Sequence, residues 1–232
     1  MSKNKTIKVP TKRIEKEILA GPTAKTQTWR IFEIMAEFVT GFELLSKYKK
    51  AASFFGSARF SPQNKHYREA VKLAKLLSRD GYAIITGGAA GIMEAANRGA
   101  YEAGGPSVGM NIKLADNQQL NKYVKDSEDF QHFFVRKVML SFASQVYIFF
   151  PGGFGTLDEF FEMTTLVQTK KIHPIPIILV GRDFWQPALK LIETNLLKKH
   201  KTISPEDTSL YHLVDDARSA HALIKKIVVF KK

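Results

Sequence analysis

The chain has 232 residues, 44% hydrophobic and 25% charged, which is typical of a soluble globular protein with one substantial core. It contains no cysteine, which excludes disulfides, thiolate nucleophiles and cysteine-ligated metals. The 35 lysine and arginine residues exceed the 22 aspartate and glutamate residues, and the net charge of +13 is spread along the sequence. We interpret it as a solvated basic surface that favours small anionic ligands over nucleic acid. The longest apolar runs are strand-sized and too short to span a bilayer.

The first 50 residues form two predicted segments. Residues 1–24 are polar and basic and are predicted to be a flexible arm; no apolar h-region follows them, so we expect a cytoplasmic protein. Over residues 25–50 we predict a helical extension, because apolar residues recur every three or four positions: Trp29, Phe32, Met35, Val39, Phe42 and Leu45. This stripe must be buried, either against the main domain or at a subunit interface, and the sequence leaves both open.

Residues 51–232 are predicted to form one Rossmann-like domain. Strand-sized apolar runs alternate with helical segments, which indicates an open, mostly parallel sheet with helices on both faces. The predicted strands are Ala51–Phe55, 82–86, Ser107–Ile112, 146–150 and 176–180, and helical segments lie between and after them. Ligands of such sheets bind where loops leave the carboxyl ends of the strands. Three loops are equipped for this: 56–57, 87–91 and 151–156.

The first glycine-rich loop, TGGAAG, follows the second predicted strand and precedes a helix. Gly87, Gly88 and Gly91 would let backbone N–H groups approach a phosphate or a ring closely. The spacing is not GxGxxG, and no acidic residue follows at the distance that holds a dinucleotide ribose, which disfavours a nicotinamide or flavin cofactor. Taken alone, the loop is equally consistent with a tight turn that binds nothing.

The second glycine-rich loop, PGGFGT, follows the hydrophobic run VYIFF. Gly152, Gly153 and Gly155 precede a helix predicted to begin at Thr156. Free backbone donors, a hydroxyl and the positive end of the helix dipole would then converge, and phosphate is the natural ligand. The spacing from Thr156 to Glu159 also matches a capping box, in which the glutamate bonds back to the N-cap. The alternative is that Glu159 directs its carboxylate at a sugar beside that phosphate.

Two adjacent cations, Arg136 and Lys137, interrupt an apolar helical run before the fourth predicted strand. Neighbouring side chains point about 100° apart on a helix, so at least one is expected to face the loops. His132 lies one turn earlier and is a further candidate to line the site. The histidines show no paired ligand spacing, so we expect no metal site.

This order of motifs resembles the Lonely Guy (LOG) family, and the run from Pro151 to Glu159 is the most specific part of a match over about residues 51–182. The family consists of phosphoribohydrolases that release the free base of a nucleoside 5′-monophosphate, including cytokinin precursors. The resemblance implies hydrolysis of the N-glycosidic bond of an AMP-like nucleotide or a cytokinin riboside monophosphate, without a cofactor, by a homodimer or higher homo-oligomer. Members have often been labelled lysine decarboxylases, but this sequence shows no lysine context for pyridoxal phosphate.

The resemblance makes residues 51–232 the nucleotide-binding catalytic domain and gives Arg136 and Glu159 the catalytic positions, with capping as a compatible second role of Glu159. The residues expected to bind the 5′-phosphate are Gly152, Gly153, Gly155, Thr156, Ser57, Gly87, Gly88 and Gly91. Those expected near the base or ribose are Met93, Glu94, Asn97 and Lys137.

The sequence departs from the family pattern in two segments. Glu94 stands where plant-type members usually carry glycine, and Ala115 and Asn117 replace a proline and a glutamate. The first change leaves cytokinin specificity open, and the other two bear on activity.

Two other functions compete with hydrolysis. One is a non-catalytic nucleotide or molybdenum-cofactor carrier on the same fold, since a phosphate cradle does not establish turnover. The presence of both Arg136 and Glu159 favours the enzyme. The other is a basic nucleic-acid-binding protein, which would bind DNA or RNA with a steep salt dependence.

Overall fold

The computed structural model describes residues 24–113 and 119–228. All but the last residue of the predicted arm, and the departures at Ala115 and Asn117, lie outside these ranges. The strands are β1 (Ala51–Phe55), β2 (Ala83–Thr86), β3 (Ser107–Ile112), β4 (Asp126–Phe130), β5 (Val146–Phe149), β6 (Ile177–Val180) and β7 (Tyr211–Val214). The α-helices are α1 (Ala24–Ser46), α2 (Lys65–Arg79), α3 (Ile92–Glu102), α4 (Phe133–Phe142), α5 (Phe154–Gln168), α6 (Arg182–Leu191) and α7 (Ala217–Ile227). A π-helical segment, Ile192–Lys199, continues α6, and a short 3-10 helix covers Pro205–Ser209.

All the strands form one sheet, in the order β4-β3-β2-β1-β5-β6-β7, and every neighbouring pair is parallel. The Rossmann-like prediction is therefore confirmed. Strand β1 lies at the centre, hydrogen-bonded to β2 on one side and to β5 on the other. The chain order reverses there, and such a switch point is where open α/β sheets bind their ligands.

Helices cover both faces of the sheet, as predicted. Helices α2, α3 and α7 pack on one face. On the other face, α1 and α4 cover β2 and β3, while α5 and α6 cover β5 and β6. Because successive strand residues point to opposite sides, Ile84 belongs to the first cluster and Ile85 to the second. None of the helices within the described ranges is long and apolar enough to cross a membrane.

Two edge strands were missed by the sequence analysis. Strand β4 has the polar sequence DSEDF, in which only Phe130 is buried, and it falls in a stretch predicted to lack a strand. Strand β7 buries only Val214. An edge strand leaves much of its side-chain surface exposed, so its hydrophobic pattern is weak. Its place is decided by backbone pairing with a distant neighbour, here β3 for β4 and β6 for β7.

Helix α1 docks on the main domain mostly through residues outside the stripe, which excludes one of the two alternatives that the sequence left open. Leu44 is buried against the sheet with Phe38 beside it, and a Cβ on Gly41 would lie 2.7 Å from the sulfur of Met139. Of the predicted stripe, Leu45 packs against the core. The other members are 48–65% exposed: Trp29, Phe32, Met35, Val39 and Phe42. Packing of the whole stripe on the main domain is therefore wrong, because close approach to α4 needs the small side of the helix at Gly41.

Candidate functional site

The loops that follow β1, β2 and β5 meet at the carboxyl edge of the sheet, and Ser57 joins them. Its backbone N–H donates to the carbonyl of Pro151 at 3.0 Å, and its carbonyl accepts from the N–H of Ile92, also at 3.0 Å. Ser57 therefore links the second glycine-rich loop to the start of the helix that follows the first glycine-rich loop. The sequence predicted that these loops would come together, and they do.

The first glycine-rich loop is packed so tightly that its glycines are needed by the chain itself. Gly88 and Gly91 have φ angles of +77° and +70°, where a side chain is strained. A Cβ at Gly91 would also run into the carbonyl of Ser57, and one at Gly87 into the guanidinium of Arg136. The absence of a side chain at Gly87 thus leaves the space that Arg136 occupies.

A buried polar network holds this loop. Thr86 accepts the N–H of Gly88 at 2.9 Å and donates to the side chain of Asn97 at 2.6 Å. Asn121 donates from its side chain to the carbonyl of Gly88 and to Asn97. Asn97 also donates to the hydroxyl of Ser107 at 2.9 Å and is fully buried. Its amide is thus committed inside the chain, and Asn121 is a loop-supporting residue that no sequence motif had indicated.

The second glycine-rich loop is open. Helix α5 begins at Phe154, two residues before the predicted start, with Gly153 as its N-cap and no side-chain hydrogen bond at that cap. A Cβ on Gly153 or Gly155 would meet nothing within 4 Å, and Phe154 is 94% exposed. The first N–H groups of a helix have no intrahelical acceptor, so this end presents donors to an approaching anion.

The helix start also tests the capping-box interpretation of Glu159. Because the N-cap is Gly153, the third helical position is Thr156, and Glu159 lies a full turn too deep to bond back to the cap. The capping-box interpretation is therefore wrong. Thr156 is itself buried, and its hydroxyl lies against Gly152.

Glu159 is a buried carboxyl group, 8% exposed. Burial, reinforced by the negative charge of Glu162, raises its pKa to about 7, while the charges of Lys137 and Arg136 act in the opposite direction. Burial lowers the pKa of Arg136, and the charge of Glu159 partly offsets this. A carboxyl group that titrates near neutral pH beside a half-buried cation is characteristic of reactive sites.

The two cations of α4 diverge as expected. The Nε of Arg136 donates to the carbonyl of Met110 at 2.7 Å, which aims the guanidinium at the first loop. Lys137 turns toward α5 and lies 2.7 Å from Asp158 Oδ2 and 3.3 Å from Glu162 Oε2. The prediction that at least one of them faces the loops is confirmed.

The remaining predicted residues differ in their placement. The sulfur of Met93 approaches Gly87, beside Arg136. Glu94 accepts a hydrogen bond from the hydroxyl of Tyr67 at 3.1 Å, which ties it to α2. Within residues 24–113 and 119–228, no group of three His, Cys, Asp or Glu side chains is arranged to hold a metal ion.

His132 pairs with Glu37 of the N-terminal helix. Its Nδ1 lies 3.1 Å from Glu37 Oε1, so we revise the expectation that it lines the site. The carboxylate of Glu37 also accepts the N–H groups of Gln131 and His132, at 3.0 and 3.2 Å. Glu37 thereby holds the turn that leads into α4, whose own N-cap residue supplies no side-chain hydrogen bond. Nothing in the sequence signals this contact between residues more than ninety positions apart.

Comparison with known proteins gives a family and a fold. A family model described as "Possible lysine decarboxylase" matches residues 93–224. "Probable cytokinin riboside 5'-monophosphate phosphoribohydrolase LOG6" of Arabidopsis thaliana is 30% identical over 148 residues, covering 63% of this chain and 73% of that protein. "Cytokinin riboside 5'-monophosphate phosphoribohydrolase LOG1" of the same plant is 29% identical over 190 residues, covering 80% and 85%.

Solved structures with this fold include molybdenum-cofactor proteins. The carrier protein from Chlamydomonas reinhardtii superimposes with a TM-score of 0.59 at 23% identity, covering 77% of this chain and 97% of that one. The molybdenum cofactor binding protein from Rippkaea orientalis gives a TM-score of 0.58 at 22% identity, covering 78% and 99%. At these identities the likeness shows the fold alone.

Proposed function

The chain belongs to the LOG family, and we propose that it hydrolyses the N-glycosidic bond of a nucleoside 5′-monophosphate, releasing the free base and ribose 5-phosphate. AMP-like nucleotides and cytokinin riboside monophosphates are the candidate substrates. The observation that carries the proposal is the buried carboxyl group of Glu159, which has a pKa of about 7. This group lies near Arg136, one to two turns inside a helix whose N-terminus is open.

The 5′-phosphate is proposed to bind at the start of α5. Gly153 and Gly155 have no internal contact that requires glycine, and their backbone lies where the helix dipole is positive. Thr156, Gly152, Ser57 and the first glycine-rich loop complete the proposed cradle. Binding energy at the phosphate would position the ribose without acting on the reacting bond, which is the general use of a remote substrate group.

The proposed chemistry breaks the bond between C1′ and the base nitrogen while water attacks C1′. The electron pair of the broken bond moves to the base, and the ribose gains oxocarbenium-like positive charge. Ionised Glu159 stabilises this charge and accepts a proton from the water. Arg136 stabilises the negative charge on the departing base, which then takes up a proton from solvent while Glu159 releases its proton to solvent. Arginine acts here by charge, since it stays protonated.

Residues around the two catalytic groups receive narrower proposed roles. Met93 and Lys137 are proposed to contact the base or ribose. Met93 lies beside Arg136 at Gly87, and Lys137 is close enough to Glu159 to act on its charge. Asn97 is proposed to act indirectly, by holding the first loop through its buried amide. Glu94 is tied to Tyr67, so a contact with substrate would require it to exchange that partner.

A homo-oligomer is proposed, with the exposed stripe of α1 as a contributor to its interface. Large apolar side chains in a row at a surface usually mark a protein contact. The test is light scattering of the wild type and of a variant carrying Phe32→Ser and Val39→Ser. We expect the wild type to have at least twice the monomer mass and the variant to have less. An unchanged mass would place the interface elsewhere.

The proposed function is tested by incubating the protein with a panel of nucleoside 5′-monophosphates and the matching nucleosides, followed by chromatography. We expect base release from monophosphates only, and a loss of roughly 10²-fold or more in Glu159→Gln. Glu206→Gln, an exposed glutamate of the segment Pro205–Ser209, is the matched control and should behave as wild type.

The same experiment separates the enzyme from its rivals. Nucleotides that bind tightly but stay intact would support the carrier and overturn hydrolysis. Salt-sensitive binding of DNA or RNA without base release would support the nucleic-acid alternative.

A further inference from the structure

Glu162 is a second carboxylate beside Glu159 that the proposed chemistry does not use. It lies three positions further along α5, and residues at this spacing are neighbours on one face of a helix. Its Oε2 atom is buried and lies 3.3 Å from Lys137 Nζ, and its carboxyl group also contacts that of Glu159. A buried carboxylate is costly unless it is paired, so Glu162 depends on Lys137 and on the neighbouring carboxyl group.

The polar and charged groups that face Glu159 come from two helices and one strand. Helix α4 contributes Arg136 and Lys137, and α5 contributes Glu162, with Asp158 reaching Lys137 from the rim at 2.7 Å. Strand β5 contributes only the neutral hydroxyl of Tyr147, which donates to a backbone carbonyl. If both Glu159 and Glu162 were ionised, two carboxylates would lie side by side on one face of α5. One proton held on the pair removes their repulsion.

We propose that Glu162 is a positioning residue that, with Lys137, controls the protonation state of Glu159. The inference rests on the proposed function of Glu159. Repulsion from Glu162 keeps a proton on the pair until neutral pH, and the ion pair with Lys137 limits that effect. Glu159 then changes charge near neutral pH, which suits a general base. Without Glu162, Glu159 would be a weaker base that is ionised at lower pH.

The central experiment is the pH dependence of kcat/KM for AMP in wild type and Glu162→Gln. We expect the acidic limb of the profile to move down by about one pH unit in the variant, because the repelling charge is gone. Lys137→Met should move the limb upward, since a charge that favours ionisation is removed. Asp158→Asn is the matched control: it also removes a carboxylate partner of Lys137 but leaves the pair intact, so the limb should stay nearly in place.

An unmoved limb in Glu162→Gln, or an equal shift in Asp158→Asn, would overturn the inference. The opposite direction expected for Lys137→Met keeps the test decisive even if one variant is poorly folded. A loss of activity without a change in the profile would indicate a merely structural role for Glu162.

A second readout does not depend on turnover. In protein labelled with 13C at glutamate carboxyl groups, the NMR signal of Glu159 is assigned by its loss in Glu159→Gln and titrated in wild type and Glu162→Gln. A lower midpoint in Glu162→Gln supports the inference even if no nucleotide is hydrolysed, in which case only the proposed function fails. Hydrolysis by the wild type with an unchanged midpoint would overturn the inference alone.

Discussion

The two glycine-rich loops look alike in sequence, yet the fold uses their glycines for different purposes. In the loop after β2, a side chain at Gly87 or Gly91 would collide with the chain itself. In the loop after β5, side chains at Gly153 and Gly155 would meet open space. The first loop is closed by its own contacts, whereas the second has room that the chain does not fill.

This difference shows what a glycine motif indicates. A glycine required by internal packing says nothing about a ligand, because the fold alone explains it. A glycine with ordinary backbone angles and no neighbours is not required by packing, and it leaves room for the close approach of a ligand. The first loop is therefore interpreted mainly as a support for Arg136 at the rim of the cradle, and the second as the main part of the proposed phosphate site.

The largest effect is expected from Gly91→Ala in the closed loop. The φ of +70° is strained for alanine and the methyl group would meet the Ser57 carbonyl, so we expect the free energy of unfolding to fall by about 4 kcal/mol. Gly104→Ala is the control, since Gly104 has a φ of +79° but an empty surrounding. It should cost about 1 kcal/mol, from strain alone. Equal losses in urea unfolding would mean that the first loop is not closed by packing.

The next effect distinguishes the loops by pH. Thr86, Asn97 and Asn121 hold the first loop without a titrating group, whereas the helix after the second loop buries Glu159. The pKa of Glu159 is raised from 4.5 to about 7 by burial and by Glu162, so between these pH values the folded state binds more protons than the unfolded state. The free energy of unfolding should therefore decrease as pH rises from about 4.5 to 7, by at most about 3 kcal/mol.

Urea unfolding across this pH range checks the expectation. In Glu159→Gln the free energy of unfolding should no longer show this decrease with pH. The variant should be more stable than wild type above pH 7, where wild type buries a charge. A variant with the same pH slope as wild type would show that Glu159 is not the group responsible.

The smallest effect in stability is expected from Gly155→Ala in the open loop. Alanine is the better helix former, so the free energy of unfolding should rise by up to about 1 kcal/mol. Binding of AMP, measured by calorimetry, should weaken by about tenfold, because the methyl group enters the proposed phosphate site.

Gly152→Ala is the matched comparison in the same loop. Its new methyl group would meet Thr156, so both the free energy of unfolding and the affinity for AMP should fall. An unchanged affinity for AMP in Gly155→Ala would show that the phosphate does not bind at this loop.

Much of the site could be predicted from motifs, because each motif is local. Gly152, Gly153 and Gly155 follow a hydrophobic strand, and a parallel sheet brings such loops to one edge. The adjacency of Arg136 and Lys137 also predicted that they would diverge. The capping box failed because Thr156 and Glu159 fit the pattern equally well wherever the helix begins. Asn121, Glu37 and Glu162 carry no motif and were found only through their contacts.

The sequence by itself determined the alternation of strands and helices, the parallel sheet and the loops at its edge, since periodicity and glycine report local backbone and burial. Tertiary structure decided what depends on partners distant in the chain. It set the places of β4 and β7, the face of α1 that docks at Gly41, and the start of α5 at Phe154. It also set the pKa of Glu159, because desolvation and neighbouring charge exist only once α4 and α5 have packed together.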